Sequence, residues 1–385
     1  MIAALGLAHE GFSVTIAGPV IRRDDGRTTA LMLPALRILE QFGVGEEIKT
    51  KSAPLRVMRI VDATRRLIRS PIVTFRAAEI GEDAFGWNIP NNVLNSALEA
   101  AISAHAAIQW KQSHVAQWEL SPGQALARLE SGAAIAAQLA VAADGRLSPA
   151  REAAGIRVIR RVLPQAAVVL NFGHSRDHGF TSTEFHTETG PCTQVPLPGR
   201  HSSLVWVVKP EQADELVSLD DATLSMRIED RVQSILGRVT VEPGRQIYPL
   251  SGALPARFAA NRIALVGEAA HVFPPIGAQG LNLGIRDVAD LIATAIRHRG
   301  DPGCDKSLAA YDSVRRPDIL ARTGAVSLLN ASLLSDMIPA QMARSASLSV
   351  LGGFAPLRAF FMREGMRPGS GFRHMMSSLR EQVRR

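Results

Sequence analysis

With 385 residues, 46% of them apolar and 21% charged, the chain has an ordinary globular balance and can bury a large core, read as two intimately joined lobes. Its two cysteines, Cys192 and Cys304, stand far apart with no CxxC partner, which excludes a disulfide scaffold and a thiolate zinc site and fits a reducing compartment. A formal charge of +7 favours an anionic ligand or surface. With only 5% aromatics and no zinc finger or basic aromatic-interleaved module, nucleic acid is not expected as a partner.

Residues 1–10 read as a helix stopped by Gly11, and residues 12–16 as a strand, the αβ half of a βαβ dinucleotide unit. No GxGxxG turn precedes this helix, and the strand runs on into Ala17–Gly18–Pro19 without the acid that binds ribose in such units. A short polar stretch containing Asp25 and Arg27 leads to a helix over 33–42 with Gly43 as its stop. Apolar runs at 57–61 and 72–75 predict strands of a smaller sheet. Trp87 and Ile89 alternate like a strand covered on one face, and Trp87 fits either the edge of a substrate cavity or the core. A helix with Val93, Leu94, Leu98 and Ile102 follows. His9, His105 and His114 have no acidic or thiol partner at metal-ligand spacing, so no metal site is expected.

Residues 141–151, VAADGRLSPAR, carry a small-residue run into the tight turn Asp144–Gly145, with Ser148 and Arg151 beyond it. Residues 166–250 turn to strands (167–172, 179–186, 194–197 and 203–208) with polar helical material at 211–238, the content of a mixed or antiparallel sheet. His178, Glu184 and His186 lie within it, but no GxSxG or HExxH accompanies them to make a hydrolase or metal set. Residues 261–292 then give a buried strand (263–266) ending at Gly267 and Glu268, a Pro/Gly-rich turn, and a helix with Leu283, Val288, Leu291 and Ile292 at helical spacing. A carboxylate at such a strand end accepts hydrogen bonds from a polyol, and the free N–H groups of the helix start favour negative charge. The last stretch, 351–385, sets seven arginines and two glutamates among phenylalanines and methionines, a composition suited to an anionic membrane surface or to packing on the chain's own core. No apolar run reaches the about 18 residues of a spanning helix.

These stretches, in this order, resemble the FAD-dependent aromatic hydroxylases (group A flavoprotein monooxygenases), most closely those that hydroxylate ubiquinone precursors. The resemblance implies an α/β fold: a Rossmann-like FAD-binding fold of the glutathione-reductase type, interleaved with a mixed-sheet substrate domain and followed by a helical C-terminus. It divides the chain into FAD-binding parts at 1–54, 85–165 and 251–320, substrate-side parts at 55–84 and 166–250, and a basic helical region at 321–385. The strand and glycine turn that the family places before its first helix are not in the sequence. The expectation is therefore a start site placed too late, or a fragment, that folds poorly or holds little FAD as it stands.

The resemblance also assigns residues. Gly267 and Glu268 would hold the flavin ribityl chain, Glu268 standing where the family usually has Asp. Pro275, Gly277, Gly280, Leu281 and Asn282 would form the loop and helix start against the isoalloxazine ring, Asp144 and Gly145 would line the cofactor crevice with Arg151 beside them, and Arg27 would meet the pyrophosphate region. Trp87, His178 and Tyr248 are candidates for the substrate pocket; no general base is identifiable. The chemistry implied is hydroxylation of an aromatic ring by O2 and NAD(P)H through a flavin C4a-hydroperoxide. The expected substrate is a polyprenylated phenol of ubiquinone biosynthesis, with a soluble phenol or a non-catalytic accessory role as the alternatives. A ubiquinone-synthesis complex is a further expected partner, and the expected location is the cytoplasm, peripheral on the inner membrane.

Overall fold

A computed structural model of the chain describes residues 1–20, 25–66, 68–273, 279–334 and 338–366. The first part runs α1 (Ile2–His9), β1 (Val14–Ala17), β2 (Thr28–Met32), α2 (Leu33–Gln41), α3 (Gly45–Thr50), β3 (Ala53–Pro54), β4 (Val57–Asp62), β5 (Val73–Arg76), β6 (Gly86–Pro90) and α4 (Asn91–Ala104). It continues with β7 (Ile108–Lys111), β8 (Val115–Leu120), β9 (Ala125–Leu129), β10 (Ala134–Ala137), β11 (Ala140–Ala142) and α5 (Pro149–Ala153). The second part holds β12 (Val158–His174), β13 (Thr181–Thr187), β14 (Gly190–Leu197), β15 (His201–Val208), α6 (Pro210–Ser218), α7 (Asp221–Arg231), β16 (Val239–Val241) and β17 (Gln246–Pro255). Last come β18 (Ala259–Ala260), β19 (Ile263–Leu265), α8 (Gln279–Arg297), α9 (Asp305–Leu334), α10 (Ile338–Gly353) and α11 (Ala355–Met366).

The α/β architecture expected from the sequence is the one observed. In one lobe β1 pairs with β7 in parallel, β11 pairs with β19 in parallel, and α1, α4 and α8 pack between and beside them. The helix α8 forms because Leu283, Val288, Leu291 and Ala295 recur on one buried face, while buried Ile285 packs into a second core on another side. The other lobe is a mixed eight-stranded sheet in the order β16-β12-β15-β14-β13-β4-β5, with β17 paired to β12. The strands at 57–76 are the edge of this large sheet, not a smaller sheet of their own: β4 joins β13 in parallel and β5 pairs with β4 outside it. The strands β8, β9 and β10 form a separate antiparallel meander.

The large sheet has two unlike faces. Phe172, Phe185, Cys192, Leu204 and Trp206 point to one side and form a closed core beneath α6 and α7. Residues of the opposite parity, such as Ile60, Val169, Glu184, Thr193 and Val205, are only half-buried. This second face looks toward the other lobe: Thr28 Oγ1 reaches Ser203 Oγ at 3.0 Å, Asn88 Nδ2 donates to Ser203 Oγ at 3.2 Å, and Asn171 Nδ2 donates to the Gly26 carbonyl at 2.8 Å.

One buried carboxylate ties three elements together. Asp287, fully buried in α8, accepts from the Gly267 N–H at 3.0 Å, from His271 Nε2 at 2.7 Å and from Arg315 Nε at 2.8 Å. Arg315, equally buried in α9, also bonds Asp290 at 2.7 Å and Asp318 at 3.0 Å. Burial pulls the Arg315 guanidinium down, but the three aspartates outweigh it and hold its pKa above the ordinary value. Arg286 and Arg322 complete the group on Asp318, so three arginines face three aspartates. Removing one member strands a charge that water cannot reach. Arg315→Ala is therefore expected to lower unfolding free energy by about 3–5 kcal/mol. Urea unfolding measures it; a loss below about 1 kcal/mol would mean that Asp287 is neutral or solvated in the native state.

Candidate functional site: the crevice at the strand ends

The strands β11 and β19 are neighbours, with Ala142 opposite Leu265 and the Val266 N–H bonded to the Ala142 carbonyl at 3.0 Å. Both end at the same edge, and each opens into a glycine turn. In the first turn Asp144 Oδ2 accepts the Ala150 N–H at 3.0 Å, Gly145 takes a φ of +84°, and Ser148 caps α5 through the Arg151 N–H. In the second, Gly267 takes a φ of +61°, conformational space that favours glycine. Gly284 of α8 packs directly on it: a Cβ there would lie 3.1 Å from the Gly267 Cα.

The two turns are tied to each other. Arg151 is buried and donates to the carbonyls of Ala269 at 2.9 Å and Arg146 at 3.0 Å, so it is a tether between the motifs and not a group facing the crevice, contrary to the expectation. Arg146 Nε stands 3.6 Å from Glu268. The Glu268 side chain remains 55% exposed at the strand end. Gly145, Gly267 and Gly280 all have open space where a Cβ would sit. An exposed carboxylate, three glycines without steric cover and the first turn of a 19-residue helix form a donor and acceptor set that fits the polyol and ring edge of a flavin.

The start of α8 is held by Asn282. Its side chain donates to the Ala30 carbonyl and accepts the Met32 N–H, both at 2.8 Å, so its amide ties the helix start to β2. Leu281 beside it is part-exposed. Pro275 and Gly277 lie outside the described residues. At the other end of β2, Arg27 gives Nε and Nη2 to Asp25, both at 2.7 Å, and lies 5.8 Å from the Tyr248 ring centroid. The hydrogen bonds from Arg27 hold the Asp25 carboxyl at about 2. Asn91 joins this group through Asp25 and Thr29.

Two pocket candidates sit elsewhere. Trp87 packs in the core of α1, α2 and α4, with Lys49 over its ring at 5.0 Å. The next residue, Asn88, has the opposite parity and reaches Pro196 and Ser203 on the substrate sheet. His178 is buried in the turn before β13, where Nε2 donates to the Leu197 carbonyl at 3.0 Å and Nδ1 accepts the Phe180 N–H at 3.1 Å. Both ring nitrogens are spent on backbone, so His178 is a structural pin. Tyr248 shares the lobe-facing side of the sheet with Ala167, its partner in register.

A cavity of about 350 Å³ opens between the first turn of α8 and the edge of the large sheet. Met32, Met58, Phe75, Phe85, Leu283 and Met362 make its walls apolar, and Arg286 and Arg322 form its polar end. Sequence reading missed this cavity because Phe361 and Met362 come from α11, which only the tertiary fold brings back to β4 and β5.

The crevice yields a direct test. Glu268→Ala is expected to weaken FAD binding about tenfold, the value of one lost charged hydrogen bond. Glu268→Asp should stay within about threefold. Fluorescence titration of the apoprotein with FAD measures both, and an unchanged Kd for the alanine variant would remove Glu268 from the cofactor site.

Comparison with known proteins places this geometry. Residues 1–322 match the FAD binding domain family. The chain is 31% identical over 373 residues to the ubiquinone hydroxylase UbiL of Rhodospirillum rubrum, covering 94% of this chain and 86% of that protein. It is 29% identical over 358 residues to the 3-demethoxyubiquinol 3-hydroxylase of Escherichia coli, covering 90% of each. The fold is that of p-nitrophenol 4-monooxygenase PnpA from Pseudomonas putida, with a TM-score of 0.75 at 20% identity over 95% of this chain and 93% of that one. With its strand-end carboxylate, its paired glycine turns and these relatives, the chain belongs to the FAD-dependent aromatic hydroxylases, the group A flavoprotein monooxygenases.

Proposed function

We propose that this monooxygenase hydroxylates a polyprenylated phenol of ubiquinone biosynthesis, with NAD(P)H as its reductant. The observation that carries the reading is the apolar cavity beside the helix start, together with relatives named as ubiquinone hydroxylases. Each methylene of a prenyl tail buried there contributes about 0.8 kcal/mol, so a chain of a few isoprene units outweighs a bare phenol in binding.

When bound, FAD would carry electrons from the reductant and supply the activation of dioxygen. The protein supplies position and electrostatics. Glu268 would accept hydrogen bonds from the ribityl hydroxyls, and the helix start at Gly280, Leu281 and Asn282 would favour negative charge on the adjoining ring edge. The Asn282 clamp on β2 fixes that helix start relative to Arg27 and Tyr248. The cavity walls exclude water from the reacting ring.

Incubation of the FAD-loaded protein with NADH or NADPH, ¹⁸O2 and 2-geranylphenol is expected to give a hydroxylated product carrying one ¹⁸O, read by mass spectrometry. Reductant oxidation with hydrogen peroxide as the sole product, while p-nitrophenol is hydroxylated, would replace the prenylated substrate by a soluble phenol.

We further place the protein in the cytoplasm, docked peripherally on the inner membrane through its C-terminal helices. Among the described residues no single helix is long and apolar enough to span a bilayer; one pair, Ser345–Gly353 and Ala355–Gly365, passes only jointly and is bent by 104°. Around this bend Val350, Phe354 and Phe361 are each more than half exposed. Insertion of such side chains beside arginines suits an anionic interface. Flotation with phosphatidylglycerol vesicles should show binding that falls with salt, and Phe354→Ser with Phe361→Ser should reduce it at least about fivefold, the loss of roughly 1 kcal/mol or more of buried apolar area. Equal flotation of both proteins would exclude this surface.

A further inference from the structure

Glu184, on the half-covered face of the large sheet, is a carboxylate that the reaction described above does not use; Asp62 of the same face, in register with His186, accepts from Thr64 and Ser70. Glu184 and His186 project from β13 on the same side, two residues apart, and His186 Nε2 donates to Glu184 Oε1 at 2.8 Å. Thr193 Oγ1 from β14 approaches the other oxygen, Oε2, at 3.4 Å. His186 is buried, and its Nδ1 has no hydrogen-bond partner among the described residues. Glu184 itself is half-buried, flanked by half-buried Ile60, Thr193 and Val205.

Register places this pair beside the cavity. Met58 and Phe75, which line the cavity, stand opposite each other on β4 and β5, and Met58 is in register with Ser182. Glu184 lies two residues further along β13, in register with Ile60, a step of about 7 Å along the same face. The remaining rows of that face meet the FAD lobe through Ser203 and Asn171. A carboxylate in a solvated surface position would gain nothing from a buried imidazole behind it. Here the imidazole holds one oxygen at 2.8 Å, while the other has only the longer Thr193 contact at 3.4 Å.

We propose that Glu184 is the residue that receives the ring hydroxyl of the substrate and takes its proton, with His186 as the positioning residue behind it. This rests on the phenolic substrate read above. The step is a proton transfer: the phenol O–H bond breaks, a carboxyl O–H bond forms at Oε2, and the electron pair left on the ring oxygen enriches the ring carbons that are attacked. No oxidant is consumed in it, and the carboxyl returns its proton to water when the product leaves. The Nε2–H donated by His186 occupies Oε1, so the proton goes to Oε2, which the 3.4 Å contact from Thr193 holds only weakly.

The test uses the FAD-loaded protein and two ligand pairs: 2-geranylphenol with its methyl ether, and p-nitrophenol with p-nitroanisole. Equilibrium dialysis of the wild type is expected to favour the phenol of a pair by about tenfold, the contribution of a hydroxyl bonded to a charged acceptor. Glu184→Leu should erase that preference. Glu184→Gln keeps the shape and can still accept a hydrogen bond but cannot take a proton. It should bind the phenol within about threefold of wild type, yet lose about 100-fold or more in product formation while reductant oxidation runs on to hydrogen peroxide. His186→Gln should lose less and shift the pH profile of product formation, which a purely structural role would not do. FAD content and Tm establish that each variant is folded. Binding of only the small pair would reject the prenylated substrate and still test Glu184. An unchanged phenol-to-ether ratio in Glu184→Leu, or product formation within about threefold of wild type in Glu184→Gln, would overturn the assignment.

Discussion

The crevice depends on a single carboxylate that never meets solvent. Asp287 holds the N–H of Gly267, the ring of His271 and the guanidinium of Arg315, which joins the turn after β19 to α8 and α9. Gly267 can approach α8 this closely because Gly284 has no side chain at the contact. The exposed Glu268 is thus carried on a turn whose backbone is pinned from below. A buried ion group of this kind contributes little net stability against an apolar substitute, but breaking it leaves an unpaired charge, so its members are fixed together. The hydroxyl of Tyr311, bonded to the Leu265 carbonyl at 2.7 Å, adds a second tie between α9 and the strand.

The second organising feature is the parity of the large sheet. One face is closed by α6 and α7; the other faces the FAD lobe and is bridged to it by a few polar contacts from Thr28, Asn88 and Asn171. Polar side chains hold the lobes at a set separation without filling the space between them. Apolar residues at the same positions would favour collapse of that space. The cavity wall at Met58 and the half-buried row at Ile60 and Glu184 lie along this same face.

Much of this was legible in the sequence wherever a local pattern carried it. The small-residue strands, the Asp144 and Gly267 turns and the α8 stripe are contiguous stretches, and each forms at the expected place. Side-chain direction was less legible. Trp87 and Asn88 are neighbours in one strand, and only the placement of β6 between β2 and β3 decides that Trp87 enters the core and Asn88 meets the substrate sheet. His178 read as a pocket residue, but its ring is satisfied by two backbone groups from separate strand ends. The amide of Asn282 holds the backbone of β2, a contact across 250 residues that no local pattern encodes.

The parallel pairing of β4 with β13 has a consequence for how the chain comes together. The strands β4 and β5 are made early, but the strand they need as a neighbour comes only after the whole of β6 to β12. During synthesis they present unpaired edges, and the large sheet cannot close until the middle of the chain has left the ribosome. The two lobes are therefore not successive folding units. Each waits for segments of the other, and long-range pairing of this kind makes folding slow and open to rescue by a chaperone that shields strand edges.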